Sequence, residues 1–471
     1  MNVLAFDIAS GGISAAVFNE DLVPRGLTEI PWHIPEGSDG SAVLEVPHLE
    51  KALSQAFAAF SGLTAIDAIS FSAFMHNCTL LDAQDTPITP IFTWMDRRGS
   101  EGIEYIRREF GESFHMRTGC RFHPMFPVFK TAWLRAANDP RLVLVHRIAS
   151  AKSLITTWLC GKWAEDHGTA SATGLYDVNR ACWDEDLLRI VGLNRSMLPP
   201  LVEPRAIVGT TTPGAQLRYG VVSGIPVVAG SGDGFLANVG SGCETSARMA
   251  VTLGTSASVR QMLTTPVLDE AAGAFCYRAD LQSFLFGCAG SNGGNVLEWG
   301  CSVFGKLPRS STLVPDVPVF LPLLHGERSP DWNSRLKGSW HGITAHHTAE
   351  HLACAVVEGV AFNLAHYVDI LQRASGQQAA QLILSGNGFL NPLAAETLAA
   401  VVDAEVRLPE KQGLASLRGA AICAFRALGI DASAAMEQLV ADARTISKKA
   451  DRLVRERLQL YRQLRAKVTV R

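Results

Sequence analysis

The chain opens on an apolar run, Val3-Leu4-Ala5-Phe6. It is interrupted by Asp7-Ile8-Ala9-Ser10-Gly11-Gly12 and resumed by Ile13-Ser14-Ala15-Ala16-Val17-Phe18. Two apolar runs across small residues and glycines predict a β-hairpin whose turn exposes backbone amides. About halfway along, Ala250-Val251-Thr252-Leu253 runs into Gly254-Thr255-Ser256-Ala257-Ser258 and then Val259-Arg260. Two hairpins of one design, each opening a half of the chain, imply a duplicated architecture.

Between and after the hairpins, helical and extended patterns alternate. Leu49 to Phe60 has the spacing of an amphipathic helix, and Ala68-Ile69-Ser70-Phe71-Ser72 that of a buried strand. Val227-Val228-Ala229 is a strand ending in Gly230-Ser231-Gly232-Asp233-Gly234, and Leu382-Ile383-Leu384 one ending in Ser385-Gly386-Asn387-Gly388. Thr348 can cap a helix whose Leu352, Val356, Val357 and Val360 share one face. Strand, glycine turn, helix, repeated, predicts α/β domains. The small, polar stretch Gly240 to Glu244 is the expected boundary, giving domains 1–242 and 243–471.

Composition narrows the class. Of 471 residues, 47% are hydrophobic and 18% charged, below the roughly 25% charged of an average domain. Such a chain buries large cores and is no disordered protein. A formal net charge of −3 supplies no field for nucleic acid. No run of about 18 consecutive apolar residues predicts a membrane span, and the early Asp7 argues against a signal peptide. Ten scattered cysteines without a CxxC pair fit a reduced, cytoplasmic protein. Residues 444–471 hold ten Lys/Arg and two acids, with leucines interspersed; a C-terminal helix with a solvated basic face is expected, rather than one for an anionic surface.

Four glycine-rich turns follow apolar strands, at 9–12, 230–234, 254–256 and 385–388. Glycine lets backbone amides approach a phosphate closely, so four such turns point to a polyphosphate ligand. Ser10, Thr255 and Ser256 add hydroxyl donors. No GxxxxGK[ST], GxGxxG, GxSxG or HExxH pattern is present. Asp7 and Asp233 stand at strand ends, where ligands bind in α/β sheets, and either carboxylate could serve Mg²⁺ or act as a base. Met75-His76-Asn77 puts an imidazole at the end of a strand. Trp94-Met95-Asp96-Arg97-Arg98 combines an aromatic plane, a carboxylate and guanidiniums, which suits a polyol. His346, His347 and His351 lack an acid partner in the pattern and read as a helix-start cluster without metal.

Together these residues resemble the FGGY family of carbohydrate kinases, within the actin/hexokinase-like superfamily. Asp7 to Ser14 is similar to its first phosphate loop and Gly254-Thr255-Ser256 to its second. Gly230 to Gly234 resembles the segment of its catalytic aspartate, and Ser385 to Gly388 through Arg418-Gly419-Ala420-Ala421 its adenosine end. Finer matches to the gluconate kinase branch are Phe71 to His76, Thr93 to Arg98, His123 to Lys130, Asp166 to Gly174, Phe320 to Pro330 and Gly338 to Thr344. The chain departs from the pattern at Ala9-Ser10, where Gly-Thr is usual, and at Ser14, where a basic residue closes the loop. It also departs at Ala394, Glu396 and Ala400.

The resemblance implies two actin/hexokinase-like (ribonuclease H-like) α/β domains around a central cleft. It implies ATP and Mg²⁺ as cofactors, a small sugar as substrate, and neither nucleic acid nor membrane as partner; a homodimer is the assembly considered. Asp233 would be the catalytic base and Asp7 the metal ligand. Ser10, Gly11, Gly12, Gly254, Thr255, Ser256, Gly338, Gly386, Asn387, Gly388 and Asn391 would hold the nucleotide. Met75, His76, Trp94, Asp96 and Arg98 would contact gluconate or a related polyol, with Arg98 or Lys130 meeting a carboxylate. A pentulose kinase, or a degenerate homologue that binds sugar without turnover, is the alternative.

Overall fold

Each predicted hairpin lies at the heart of its own sheet. In the computed structural model, which describes residues 1–62, 65–111, 113–310, 316–410, 412–447 and 452–469, the first sheet holds six strands. They are β1 (Val3–Ala9), β2 (Gly12–Phe18), β3 (Pro24–Pro31), β4 (Ala68–Ala73), β5 (Ile207–Thr210) and β6 (Pro226–Gly232), in the order β5-β6-β4-β1-β2-β3. The second holds β7 (Arg248–Leu253), β8 (Ala257–Leu263), β9 (Phe275–Arg278), β10 (Phe284–Ala289), β11 (Gln381–Ser385), β12 (Glu405–Leu408) and β13 (Arg444–Ile446), in the order β9-β10-β8-β7-β11-β12-β13.

The two sheets repeat one plan. In the first, β1 pairs antiparallel with β2 and parallel with β4, and β4 pairs parallel with β6. In the second, β7 pairs antiparallel with β8 and parallel with β11, and β11 pairs parallel with β12. Equivalence reaches single residues: Asp7 lies opposite Ser14 and Ser72, and Thr252 opposite Ser258 and Ser385. Duplication inferred from two short hairpins is therefore a property of both whole sheets.

Helices cover the sheets by their apolar faces. Helix α1 (Val46–Ala58) buries Leu49, Ala52, Leu53, Ala56 and Phe57, and Phe57 meets Phe6 of β1 at a centroid distance of 4.8 Å. Helix α2 (Asp233–Val239) follows β6 directly. Helix α3 is Gly294–Phe304, and the 27-residue α4, Ala349–Ser375, begins at Thr348 as expected. By length and composition α4 could cross a membrane, but 89% of its apolar window is buried in this fold. Helix α5 (Ala415–Ala427) belongs to the C-terminal half of the chain yet packs on β1, β4 and α2 of the first sheet. Two glycines permit that approach: a Cβ on Gly240 would lie 1.9 Å from the Ala415 carbonyl oxygen, and one on Gly419 2.0 Å from that of Leu236. The halves are thus interlocked.

The C-terminal helix α6 (Arg452–Thr469) is not simply a solvated basic face. Arg465 is 1% exposed and pairs with Asp331. Arg457 pairs with Glu358 at 2.7 Å, and the Tyr461 hydroxyl donates to Asn363. All ten cysteines are free.

Candidate functional site

Strand alternation brings the two acids together. Asp7 is the sole polar residue in the run Val3–Ala9, on a strand flanked by β2 and β4. Ser72 donates to Asp7 Oδ1 at 2.7 Å. Burial pushes the Asp7 carboxyl up to about 7, and the Asp233 charge adds to the rise. Asp233 is reached through a bulge in β6: register shifts between Val228 and Ser231, and Gly230 takes φ +62°. A Cβ there would lie 1.8 Å from the Phe71 carbonyl oxygen, so only glycine fits. The Asp233 carboxyl is also raised by burial, against the opposing pull of Arg260; its Oδ1 accepts the Gly234 N–H at 2.7 Å. The glycines around Asp233 make room for Met75: a Cβ on Gly232 would meet its Cγ at 2.5 Å. Beneath them, Lys152 is buried between Glu165 (3.0 Å) and Asp166 (2.8 Å), and Ser231 donates to Asp166.

The turns of the two hairpins stay open. A Cβ on Gly11 would meet nothing within 4 Å, and Thr255 is exposed. Trp32 straps the first turn, its Nε1 donating to the Ser10 carbonyl at 2.8 Å. Two further glycine turns pack onto the second. Cβ atoms on Gly386 and Gly388 would press on Leu253, and the Gly294 N–H donates to the Gly254 carbonyl at 2.7 Å. The Ser291-Asn292-Gly293-Gly294 turn was not singled out in the sequence, although its paired glycines are the same signal as the other four. A cavity of about 550 Å³ opens beside it, lined by Asn295, Glu298, Trp299, Ser302, Leu324 and His325. A larger one of about 650 Å³ lies elsewhere, around Arg147, Trp163 and Arg195, and holds none of these residues.

Other expected nucleotide residues have different neighbours. Asn391 caps the helix Pro392–Val401, accepting the Leu393 N–H, and its amide donates to the Pro308 carbonyl. Gly338 faces Leu321 and Leu324 rather than the glycine turns.

On the sugar side, His76 Nδ1 donates to the Ala172 carbonyl at 2.7 Å, which leaves Nε2 as an acceptor. Burial pushes this imidazole down to about 3, so it is neutral at physiological pH, and its backbone holds a strained φ of +61°. Asp96 is fully buried and committed: Arg98 reaches it through Nε and Nη2, the latter at 2.6 Å. Lys130 donates to the Thr93 and Met125 carbonyls and is pushed down to about 8 by burial. Neither expected carboxylate ligand is therefore an uncommitted cation. Arg328, from the second half of the chain, stands 5.0 Å over the Trp94 ring, and among the described residues its guanidinium's one hydrogen bond runs from Nη2 to the Gly290 carbonyl. The resemblance includes it within Phe320 to Pro330 but assigns it no contact, because its partner Trp94 is 234 residues away in the chain.

The folded chain gives the histidine cluster an acid. Asp316 lies 2.7 Å from His346 Nε2 and 3.7 Å from His347 Nε2. The Thr344 N–H donates to His347 Nδ1, and that of Thr348 to His351 Nδ1. These backbone donors occupy the Nδ1 lone pairs of His347 and His351.

Residues 3–240 match the N-terminal domain of the FGGY family of carbohydrate kinases, and residues 249–428 its C-terminal domain. The chain belongs to the FGGY family. This FGGY kinase is accordingly a phosphotransferase acting on a sugar hydroxyl, in a family that uses ATP. It is 29% identical to a gluconokinase of Bacillus subtilis, over 93% of this chain and 90% of that one. It is also 29% identical to a xylulose kinase of Lactococcus lactis, over 77% and 73%. The crystal structure of gluconate kinase from Lactobacillus acidophilus superposes with a TM-score of 0.90 at 22% identity, covering 99% and 98% of the two chains.

Proposed function

We propose that this FGGY kinase transfers the γ-phosphoryl group of ATP to a hydroxyl of gluconate or a related sugar acid or polyol, with Asp233 as general base. The observation that carries this reading is the convergence of Asp7, inside β1, and Asp233, just past β6: Asp7 lies opposite Ser72 of β4, and Ser72 opposite Ser231, two residues before Asp233. Similarity to a gluconokinase across nearly its whole length supports the acceptor class.

The carboxylates fit a divalent cation: two acids lie near enough for the Asp233 charge to act on Asp7, and Asp7 spends only Oδ1 on Ser72. Asp7 would hold Mg²⁺, which would supply neutralisation of charge on the phosphate oxygens. Gly11, Gly12, Gly254, Thr255 and Ser256 present backbone N–H and hydroxyl donors from both hairpins to the polyphosphate. The cavity beside Asn295 and Trp299 has room for the nucleoside.

Asp233, held above the ordinary carboxylate range, is a stronger base than a free aspartate. Its Oδ2 takes the proton as the hydroxyl oxygen attacks phosphorus. In a loose transition state that proton leaves late, and positioning contributes most. His76 Nε2 accepts from an acceptor hydroxyl, and Trp94 with Arg328 above it closes the sugar side.

The test is ADP release from Mg-ATP across gluconate, xylulose, ribulose, glycerol and related polyols. Gluconate-dependent turnover that drops by about 10²–10⁴ in Asp233→Ala is the expected result. A pentulose preferred over gluconate would move the substrate assignment. Sugar binding by calorimetry without turnover would establish the degenerate homologue.

A further inference from the structure

Arg260 is 9% exposed and sits in β8, two residues beyond the second phosphate turn's flank. Its guanidinium is held at three points: Nε donates to Asn238 Oδ1 at 3.1 Å, Nη1 to Ser258 Oγ at 2.8 Å and Nη2 to Thr252 Oγ1 at 2.9 Å. All three acceptors are neutral. Among the described residues Arg260 has no carboxylate within salt-bridge distance, and its five N–H donors leave two unspent. A buried guanidinium without an opposite charge in contact is costly, so its position needs a reason.

Geometry supplies one. The Arg260 stem lies over the Asp233 helix, its Cδ 3.8 Å from where a Cβ of Gly234 would stand. Thr252, one of its anchors, occupies in β7 the register position that Asp7 occupies in β1. Arg260 therefore spans from the Asp233 segment to the second hairpin. The first hairpin, residues 3–18, contains no lysine or arginine at all.

Resting on the kinase reading above, we propose that Arg260 is a positioning residue for phosphoryl transfer: carried by the second hairpin, it supplies the fixed positive charge that the first hairpin lacks. It orients the nucleotide phosphates against Asp233 from the opposite domain and completes the site only when both hairpins face each other. Its influence on Asp233, whose carboxyl it holds down against burial, is in keeping with that position.

The experiment compares wild type, R260M, R260K and R260M/S14K in steady-state turnover, with thermal melting alongside. Position 14 lies directly across from Asp7 on the same face of the hairpin, so a lysine there restores a cation from the other side. R260M should lower kcat about 100-fold, as loss of one preorganised donor does. Its KM for the acceptor should stay within about threefold, and the acidic limb of kcat/KM should move to higher pH as Asp233 loses the cation that holds its carboxyl down. R260K and R260M/S14K should each recover about tenfold of the loss. A kcat for R260M within about threefold of wild type overturns the inference. So does a variant whose melting temperature falls and which neither lysine rescues, since that marks Arg260 as core packing only. If wild type phosphorylates no acceptor, the kinase reading fails by itself, and calorimetry with Mg-ADP then decides: about tenfold weaker binding to R260M upholds the inference, and unchanged binding overturns it.

Discussion

At the scale of single residues, the site depends on charges placed where burial opposes them. Asp7 is the sharpest case. Its folded value of about 7 lies above the 3.8 of a free aspartate, so the folded state binds more protons between those values. The carboxyl's contribution to stability is present below about pH 4 and is lost as pH rises through 7. Asp7→Asn should therefore be more stable than wild type at pH 8, by about 4 kcal/mol, and melt higher, with the difference vanishing near pH 4. The same variant should lose turnover, and melting curves at the two pH values beside an activity assay check both. Both acids were legible in the sequence as strand-end residues beside glycines. Their mutual influence was not, because it depends on Ser72 arriving from β4 and Asp233 from the start of α2.

At the scale of elements, glycines decide how closely neighbouring pieces can approach. Gly230 was legible as part of a glycine-rich turn, but its role is narrower: it forms the bulge that aims Asp233. Gly230→Ala should destabilise the fold by about 1–3 kcal/mol, through overpacking against Phe71 and an unfavourable left-handed φ. Its kcat should fall further than the melting shift explains, since Asp233 is displaced. A kcat unchanged in the folded variant would show that the bulge serves packing alone. The hairpins, the strand Ala68–Ala73 and the start of α4 at Thr348 were also legible, because each rests on local periodicity and capping. The Asn391 cap was not distinguished from a ligand, since an asparagine after glycines suits either role.

At the scale of the molecule, the C-terminal helix α6 is tied to the site. Arg465 of α6 pairs with Asp331 and lies 3.9 Å from Glu327. Glu327 accepts from the Ser291 N–H and the Tyr367 hydroxyl, and Arg328, over Trp94, is the next residue. Removing one partner of such a buried network leaves an uncompensated charge, so Arg465→Ala should cost about 3–5 kcal/mol in chemical denaturation. Because the network ends beside Arg328, KM for the acceptor should rise in the same variant while KM for ATP holds. Equal changes in both would mean that α6 acts on stability only.

What the sequence determined by itself was everything carried by short range: two hairpins, their glycine turns, the alternation of strand and helix, and the acids at strand ends. Period and turn chemistry write these into consecutive residues. What only the tertiary structure decided was which charges meet. Arg98 and Lys130 were spent on their neighbours, Arg328 was brought over Trp94, and Arg260 was set beside Asp233 with no acid of its own. The physical reason is that a hydrogen bond or charge contact depends on distance in space. The partners here come from different strands and opposite halves of the chain, so no spacing along the sequence records them.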